Sequence, residues 1–151
     1  MSRLRSHWSV LALLVVAMLA FATHSRKTPA APITHKITVP DEDRFVPFAI
    51  TIHVGDSITW VNTDEDDHSV VSNDAYNTAG HHGVNVILPA NGGTYTLQFD
   101  HIGVFPFYCR FHAVLDKVHQ PAAPGPDGGI QDASGNYGTP MNGIITVVSG
   151  D

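Results

Sequence analysis

Short runs of alternating apolar and polar residues, broken by turn signals at roughly 8–12-residue spacing, leave this chain few folds to choose from. Phe48 to Val54 alternates with Phe48, Ile50, Ile52 and Val54 on one side, and Gly55-Asp56 then turns the chain. Ser57 to Asn62 follows with Trp60 in its middle. Val84 to Leu88 alternates again, and Thr94 to Asp100 carries Tyr95, Leu97 and Phe99 in phase. Ile33 to Val39 precedes these runs, His68 to Val71 lies between them, Gly103 to Cys109 is rich in aromatics, and Gly143 to Val148 closes the chain. A period of two belongs to strands with one buried face, and no segment carries the 3.6 period of a helix. About eight such strands predict an all-β fold, an antiparallel sandwich or barrel. The exception is the 28-residue stretch 113–140 before the last strand, rich in Pro, Gly, Asp and Asn. A loop that long inside a compact domain is usually functional or mobile.

The chain opens differently. Arg3 and Arg5 precede an unbroken apolar run of thirteen residues, Val10 to Ala22, which ends in the small-x-small triplet Ala20-Phe21-Ala22. A membrane-spanning helix needs about 20 apolar residues, so the run reads as a signal peptide cleaved after Ala22, with an uncleaved anchor as the alternative. The expected organisation is a leader over 1–22, a Pro/Ala-rich flexible spacer over 23–33 and one domain over 34–151. The protein would then be exported to a periplasmic or extracellular compartment, with no stable membrane insertion after cleavage. Losing Arg3 and Arg5 leaves a net charge of −8, which excludes nucleic acid as a natural partner.

An exported chain usually pairs its cysteines, yet this one has a single Cys109. Cys109-Arg110-Phe111-His112 places a thiol and an imidazole close enough to hold one ion. Alone this spacing is weak evidence. Three features strengthen it: the aromatic strand Phe105-Pro106-Phe107-Tyr108 that ends at Cys109, His68 on a second strand-like segment, and Met141-Asn142-Gly143 leading into the last strand. Two imidazoles, a thiolate and a weak thioether are the donors of blue-copper sites, whereas zinc usually takes a closed Cys/His set.

The stretches FVPFAITIHVGDSITWVNTDEDDHSVVS, GTYTLQFDHIGVFPFYCRFH and MNGIITV resemble the plastocyanin-like branch of the cupredoxin family over residues 45–148. The resemblance implies a Greek-key, cupredoxin-like β-sandwich that holds one type 1 copper through His68, Cys109, His112 and Met141. It also implies an electron carrier rather than an enzyme, a monomer that meets redox proteins through an apolar patch around His112 made by Phe111, Ala113, Val114 and Leu115. Two departures stand out. The family keeps the downstream His and the Met a few residues apart, whereas here 28 intervene and His119 among them is a rival fourth ligand. Ser69 also stands where many members have Asn.

Two other functions remain open on the residues. One is an open copper site, with His119 or solvent in place of Met141, that binds or senses a small molecule. The other is a copper-handling protein with further sites at His81, His82 and His119. The ordinary reading of His81 and His82 is exposed loop histidines, and that of Asp64-Glu65-Asp66-Asp67 a solvated loop. No His-x-His pair and no second Cys occurs, which removes a multicopper oxidase and a dinuclear centre.

Overall fold

A computed structural model describes residues 30–150. The leader and most of the spacer lie outside the described residues. Among the described residues ten strands are formed: β1 Thr34–Val39, β2 Ala49–His53, β3 Ser57–Asn62, β4 His68–Ser72, β5 Asn85–Leu88, β6 Thr94–Gln98, β7 Gly103–Tyr108, β8 Val114–Leu115, β9 Pro121–Ala123 and β10 Asn142–Val148. One sheet runs β1-β3-β6, a second runs β2-β10-β7-β4-β5, and β8 pairs with β9 in a small hairpin. The two larger sheets form the sandwich, and alternation decides which residues fill it. Ile58 and Trp60 of β3 point inward, as do Ile145 and Val147 of β10, and all four are at most 1% exposed. Burying a side chain of this size contributes about 1.5–3 kcal/mol. The aromatic centre of the core is close-packed, with Phe107 lying 4.7 Å from Phe45 and 5.5 Å from Trp60 between ring centroids.

Three details differ from the sequence expectation. The sandwich is not wholly antiparallel, since β1 pairs with β3, and β10 with β2, in parallel. A parallel pair cannot be joined by a tight hairpin, and here β2, which lies between β1 and β3 in the chain, crosses to the other sheet. Phe48 and Val54 are 53% and 40% exposed despite their phase with Ile52, because they sit beyond the two ends of β2, an edge strand.

The third difference is the stretch 113–140, which has structure of its own. Besides β8 and β9 it holds the bridges Gly125 to Gly128 and Ile130 to Thr139. It is tied down at several points: the Asn73 side-chain amide donates to the His119 carbonyl at 2.7 Å, and the Tyr76 hydroxyl donates to the Val118 carbonyl. Across the same end of the sandwich, the Asp127 N–H donates to the Phe111 carbonyl at 3.1 Å, and the Gln131 N–H to the Glu42 carbonyl at 3.2 Å. Gly125 lies so close that a Cβ there would stand 2.0 Å from the Phe111 carbonyl oxygen. The segment is therefore a cap over the pole where His112 lies.

Candidate metal centre

Strand ends bring the donors together. His68 is the first residue of β4, Cys109 follows the last residue of β7, and β4 and β7 are neighbours. The chain then turns, with the His112 N–H donating to the Cys109 carbonyl at 3.2 Å. Met141 comes immediately before β10 and is clamped by its main chain: its N–H donates to His112 O at 2.9 Å, and its carbonyl accepts from the Cys109 N–H at 3.0 Å.

Cys109 Sγ lies 3.9 Å from His68 Nδ1 and 3.5 Å from His112 Nδ1. One ligand atom from each of His68, Cys109 and His112 falls within 4.8 Å of the others. All three are buried, and Met141 is 0% exposed in the same cluster as Cys109. The sulfur also accepts from the Ser69 N–H at 3.3 Å and the Ser69 hydroxyl at 3.6 Å. That hydroxyl in turn accepts the Arg110 N–H at 3.0 Å. Ser69 thus ties β4 to the ligand turn.

The electrostatics favour a metal-ready thiolate. Burial raises the Cys109 thiol, but hydrogen bonds involving His112, His68 and Ser69 outweigh it and bring it down to about 6. Burial lowers both imidazoles, yet the neighbouring sulfur, with Asp64 beside His68 and Asp43 beside His112, raises each of them. The donor set suits one copper ion: a thiol and two imidazoles each bring a ligand atom within 4.8 Å of the others, and the buried Met141 is joined to Cys109 and His112 through its main chain. Sulfur–nitrogen separations of 3.5 and 3.9 Å leave room for an ion bonded to each atom at about 2.0–2.3 Å.

The other predicted residues fall elsewhere. His119 is exposed, in a left-handed conformation (φ 59°), on the hairpin between β8 and β9. His81 is not an exposed loop histidine, because its ring packs edge-on against Phe99 at 4.8 Å. His82 is the exposed one and lies 3.7 Å from Asp74, so the adjacent pair points two ways. Of the apolar residues expected around His112, Val114 is 48% exposed and Phe111 and Leu115 are half-buried, while Ala113 is buried. His112 and Ala113 are 3% and 4% exposed because the cap covers them. The opening beside His112 is a cleft of about 460 Å³ lined by Phe111, Asp66, Asp67 and Asp127, so it is acidic with one aromatic wall.

Three residues escaped sequence reasoning. Asp64 belongs to a run that reads as solvated, yet it is 7% exposed and its carboxylate lies 3.0 Å from His68 Nε2. Its spacing of four residues from His68 is the one signal available. Asp43 is 8% exposed, and its Oδ1 stands 3.4 Å from His112 Nε2. Asn62 organises the loop that holds Asp64. Its amide donates to Asp66 O, Leu88 O and Pro89 O at 2.8–3.1 Å, and its oxygen accepts the Asp64 N–H at 3.0 Å. Its phase with Ile58 and Trp60 marks it as an inward-facing polar residue.

A family model described as a cupredoxin-like domain matches residues 10–118, more than half of the chain. The chloroplast plastocyanin of Tetradesmus obliquus is 35% identical over 75 residues, 45% of this chain and 50% of that relative. The chain therefore spans about half the length of the curated relative it matches. Among solved structures, a purple cupredoxin from Nitrosopumilus maritimus is 20% identical, with 75% of this chain and 98% of that one covered and a TM-score of 0.47. Amicyanin from Paracoccus versutus is 15% identical, with 80% and 84% covered and a TM-score of 0.47. The family match ends at residue 118, short of Met141 and β10. With its two-sheet sandwich and its His-Cys-His cluster at one pole, the chain belongs to the cupredoxin-like family.

Proposed function

We propose that this protein is an exported electron carrier whose single copper is held by His68, Cys109 and His112, with Met141 as the weak fourth donor. The observation that carries the proposal is the buried sulfur of Cys109, flanked by two Nδ1 atoms and hydrogen-bonded by Ser69. When bound, copper supplies a one-electron couple. The protein's own part is to hold the donors in one arrangement for both oxidation states, which keeps rearrangement small. Strand ends, the clamp on the main chain of Met141 and the Ser69 tie support that role, because each is hydrogen-bonded to a neighbouring strand or turn. Met141 rather than His119 serves as the fourth donor, since Met141 is buried beside Cys109 whereas His119 is exposed on the hairpin.

Export rests on residues 1–22, which lie outside the described residues. Among the described residues no helix is long and apolar enough to cross a membrane. Redox partners meet the cleft beside His112, and its three aspartates favour a basic partner. The test is an absorption and electron-spin-resonance spectrum of the copper-loaded protein and of Met141→Leu. The wild type is expected to show an intense sulfur-to-copper band in the visible and to bind one copper per chain. The variant is expected to keep the band but shift it. An unchanged spectrum in Met141→Leu would remove Met141 from the ligand set, and a colourless wild type would overturn the proposal.

A further inference from the structure

Both imidazoles turn Nδ1 towards Cys109, which leaves both Nε2 atoms facing away from the sulfur. Those atoms do not face water, because His68 and His112 are 0% and 3% exposed. They face two carboxylates instead. His68 Nε2 lies 3.0 Å from Asp64 Oδ2 and 3.8 Å from Asp43 Oδ1, and His112 Nε2 lies 3.4 Å from the same Asp43 oxygen. The backbone around Asp43 is unusual. Glu42 and Asp43 both have positive φ, 81° and 53°, a region non-glycine residues occupy at a cost and keep only where their surroundings hold them. The cap supplies part of that hold through the Gln131 N–H on the Glu42 carbonyl. Asp64 is held from the other side by Asn62 and by the Glu65 N–H at 2.6 Å. Two separate loops, neither containing a ligand, thus each drive a carboxylate against the outer nitrogen of a ligand ring.

We infer that Asp43 and Asp64 are positioning residues that set the potential of the copper centre: Asp64 fixes the His68 ring with Nδ1 free for the metal, and Asp43 is a buried negative charge shared by both rings. The inference rests on the copper reading above. A carboxylate on the outer N–H of a ligand histidine orients the ring and makes it a stronger donor. A buried negative charge also favours the more positive of two metal states, and it does so strongly where the dielectric is low. Both effects stabilise oxidised over reduced copper.

Partners of this kind typically change metal affinity by about 10–100-fold. If the loss falls on the oxidised ion, Asp43→Asn and Asp64→Asn are each expected to shift the equilibrium towards reduced copper by about tenfold, about 59 mV for one electron. Asp100→Asn removes the same charge from an exposed position that touches neither Nε2 and serves as the control. It is expected to shift the equilibrium by less than about twofold. Asp43→Glu keeps the charge and is expected to retain most of the wild-type potential, so a result survives even if one asparagine variant fails to fold. Proton spectra of the reduced, diamagnetic protein give a second readout. The slowly exchanging ring N–H of His68 is expected to move in Asp64→Asn, and those of both ligand rings in Asp43→Asn. Shifts in the two asparagine variants no larger than in Asp100→Asn, with the visible band intact in the wild type, would overturn this inference alone. Absence of the band from the wild type would overturn the copper reading with it.

Discussion

Replacing Ser69 by alanine tests whether one hydroxyl joins the two strands that carry the ligands. Ser69 is 0% exposed. Its oxygen accepts the Arg110 N–H at 3.0 Å and its hydroxyl hydrogen faces Cys109 Sγ at 3.6 Å. Alanine fills nearly the same space, so the loss is one of hydrogen bonding rather than packing. The Arg110 N–H is left without its acceptor in a part-buried site, which costs about 1–2 kcal/mol, the lower part of the range for a stranded donor. The contact at 3.6 Å is long and adds little. With a urea slope of about 1–2 kcal/mol/M for a domain of this size, the unfolding midpoint is expected to fall by about 1 M. The assay is urea unfolding of the metal-free protein followed by the fluorescence of Trp60, which is fully buried. Ser69→Thr keeps the oxygen and is expected to recover part of the loss. A midpoint in Ser69→Ala within about 0.2 M of the wild type would refute the reasoning, because the Arg110 N–H would then have found water or another acceptor.

Three further outcomes follow from other parts of the molecule. A Cβ on Gly143 would stand 2.5 Å from Phe107 Cζ, and Phe107 is wedged between Phe45 and Trp60; Gly143→Ala is expected to cost about 1–3 kcal/mol and lower the Tm by roughly 5–10 °C, and an unchanged Tm would show that the ring yields. Burial raises the Asp56 carboxyl, but the Ile33 N–H, the His35 ring and the His53 N–H outweigh it and hold it at about 2 against an ordinary 3.8. Its contribution to stability is therefore complete above pH 3.8 and lost as the pH falls from there towards 2; the wild-type urea midpoint should drop more steeply through that window than that of Asp56→Asn, and parallel curves would refute the assignment. The cleft beside His112 is lined by Asp66, Asp67 and Asp127, so a cationic small-molecule oxidant should react at least tenfold faster than an anionic one of equal potential at low salt. The gap should close near 0.5 M, where screening acts within about 5 Å, and equal rates at low salt would place electron exit elsewhere.

What could be read in the chain beforehand, and what could not, divides by how local the cause is. Alternation along a strand acts between residues two apart, so Ile58 and Trp60 were assignable to the core without coordinates, and each is fully buried. The ordered series of His68, Cys-x-x-His and Met-x-Gly is likewise a pattern along the chain, and the folded strands bring its four residues to one pole. The carboxylates were not legible in this way. A run of four acids reads as solvated because isolated Asp and Glu are rarely buried. Asp64 is buried only because Asn62, two residues earlier, draws the loop inward. Asp43 is buried because a left-handed turn meets a cap that lies some ninety residues further on. The exposure of the apolar residues around His112 was hidden for the same reason: Ala113 is 4% exposed, where the backbone at Gly125 presses, whereas Val114 beside it is 48% exposed. The parallel pairing of β1 with β3 was equally hidden, since it depends on which sheet receives β2.

On the copper reading proposed above, Ser69 and the two inner carboxylates give the centre opposing controls, and this leads to one last expectation. On the sulfur side, the Ser69 N–H and hydroxyl donate to Cys109 Sγ, which stabilises negative charge on sulfur and so favours reduced copper. On the imidazole side, Asp43 and Asp64 add negative charge behind both rings and favour the oxidised ion. The potential is then a difference between two nearby terms rather than the property of one residue. Ser69→Ala keeps the main-chain donor and loses only the long hydroxyl contact, so it should lower the potential slightly, whereas Asp43→Asn should raise it by more. The sulfur and the Asp43 carboxylate sit on opposite sides of the same imidazoles, too near to be independent, so the double variant should lie between the single ones without being their sum. The measurement is a redox titration of the four proteins at one pH and ionic strength. Shifts of the same sign in Ser69→Ala and Asp43→Asn would mean that both act through general loosening of the pole, and the two-sided account of the potential would fall.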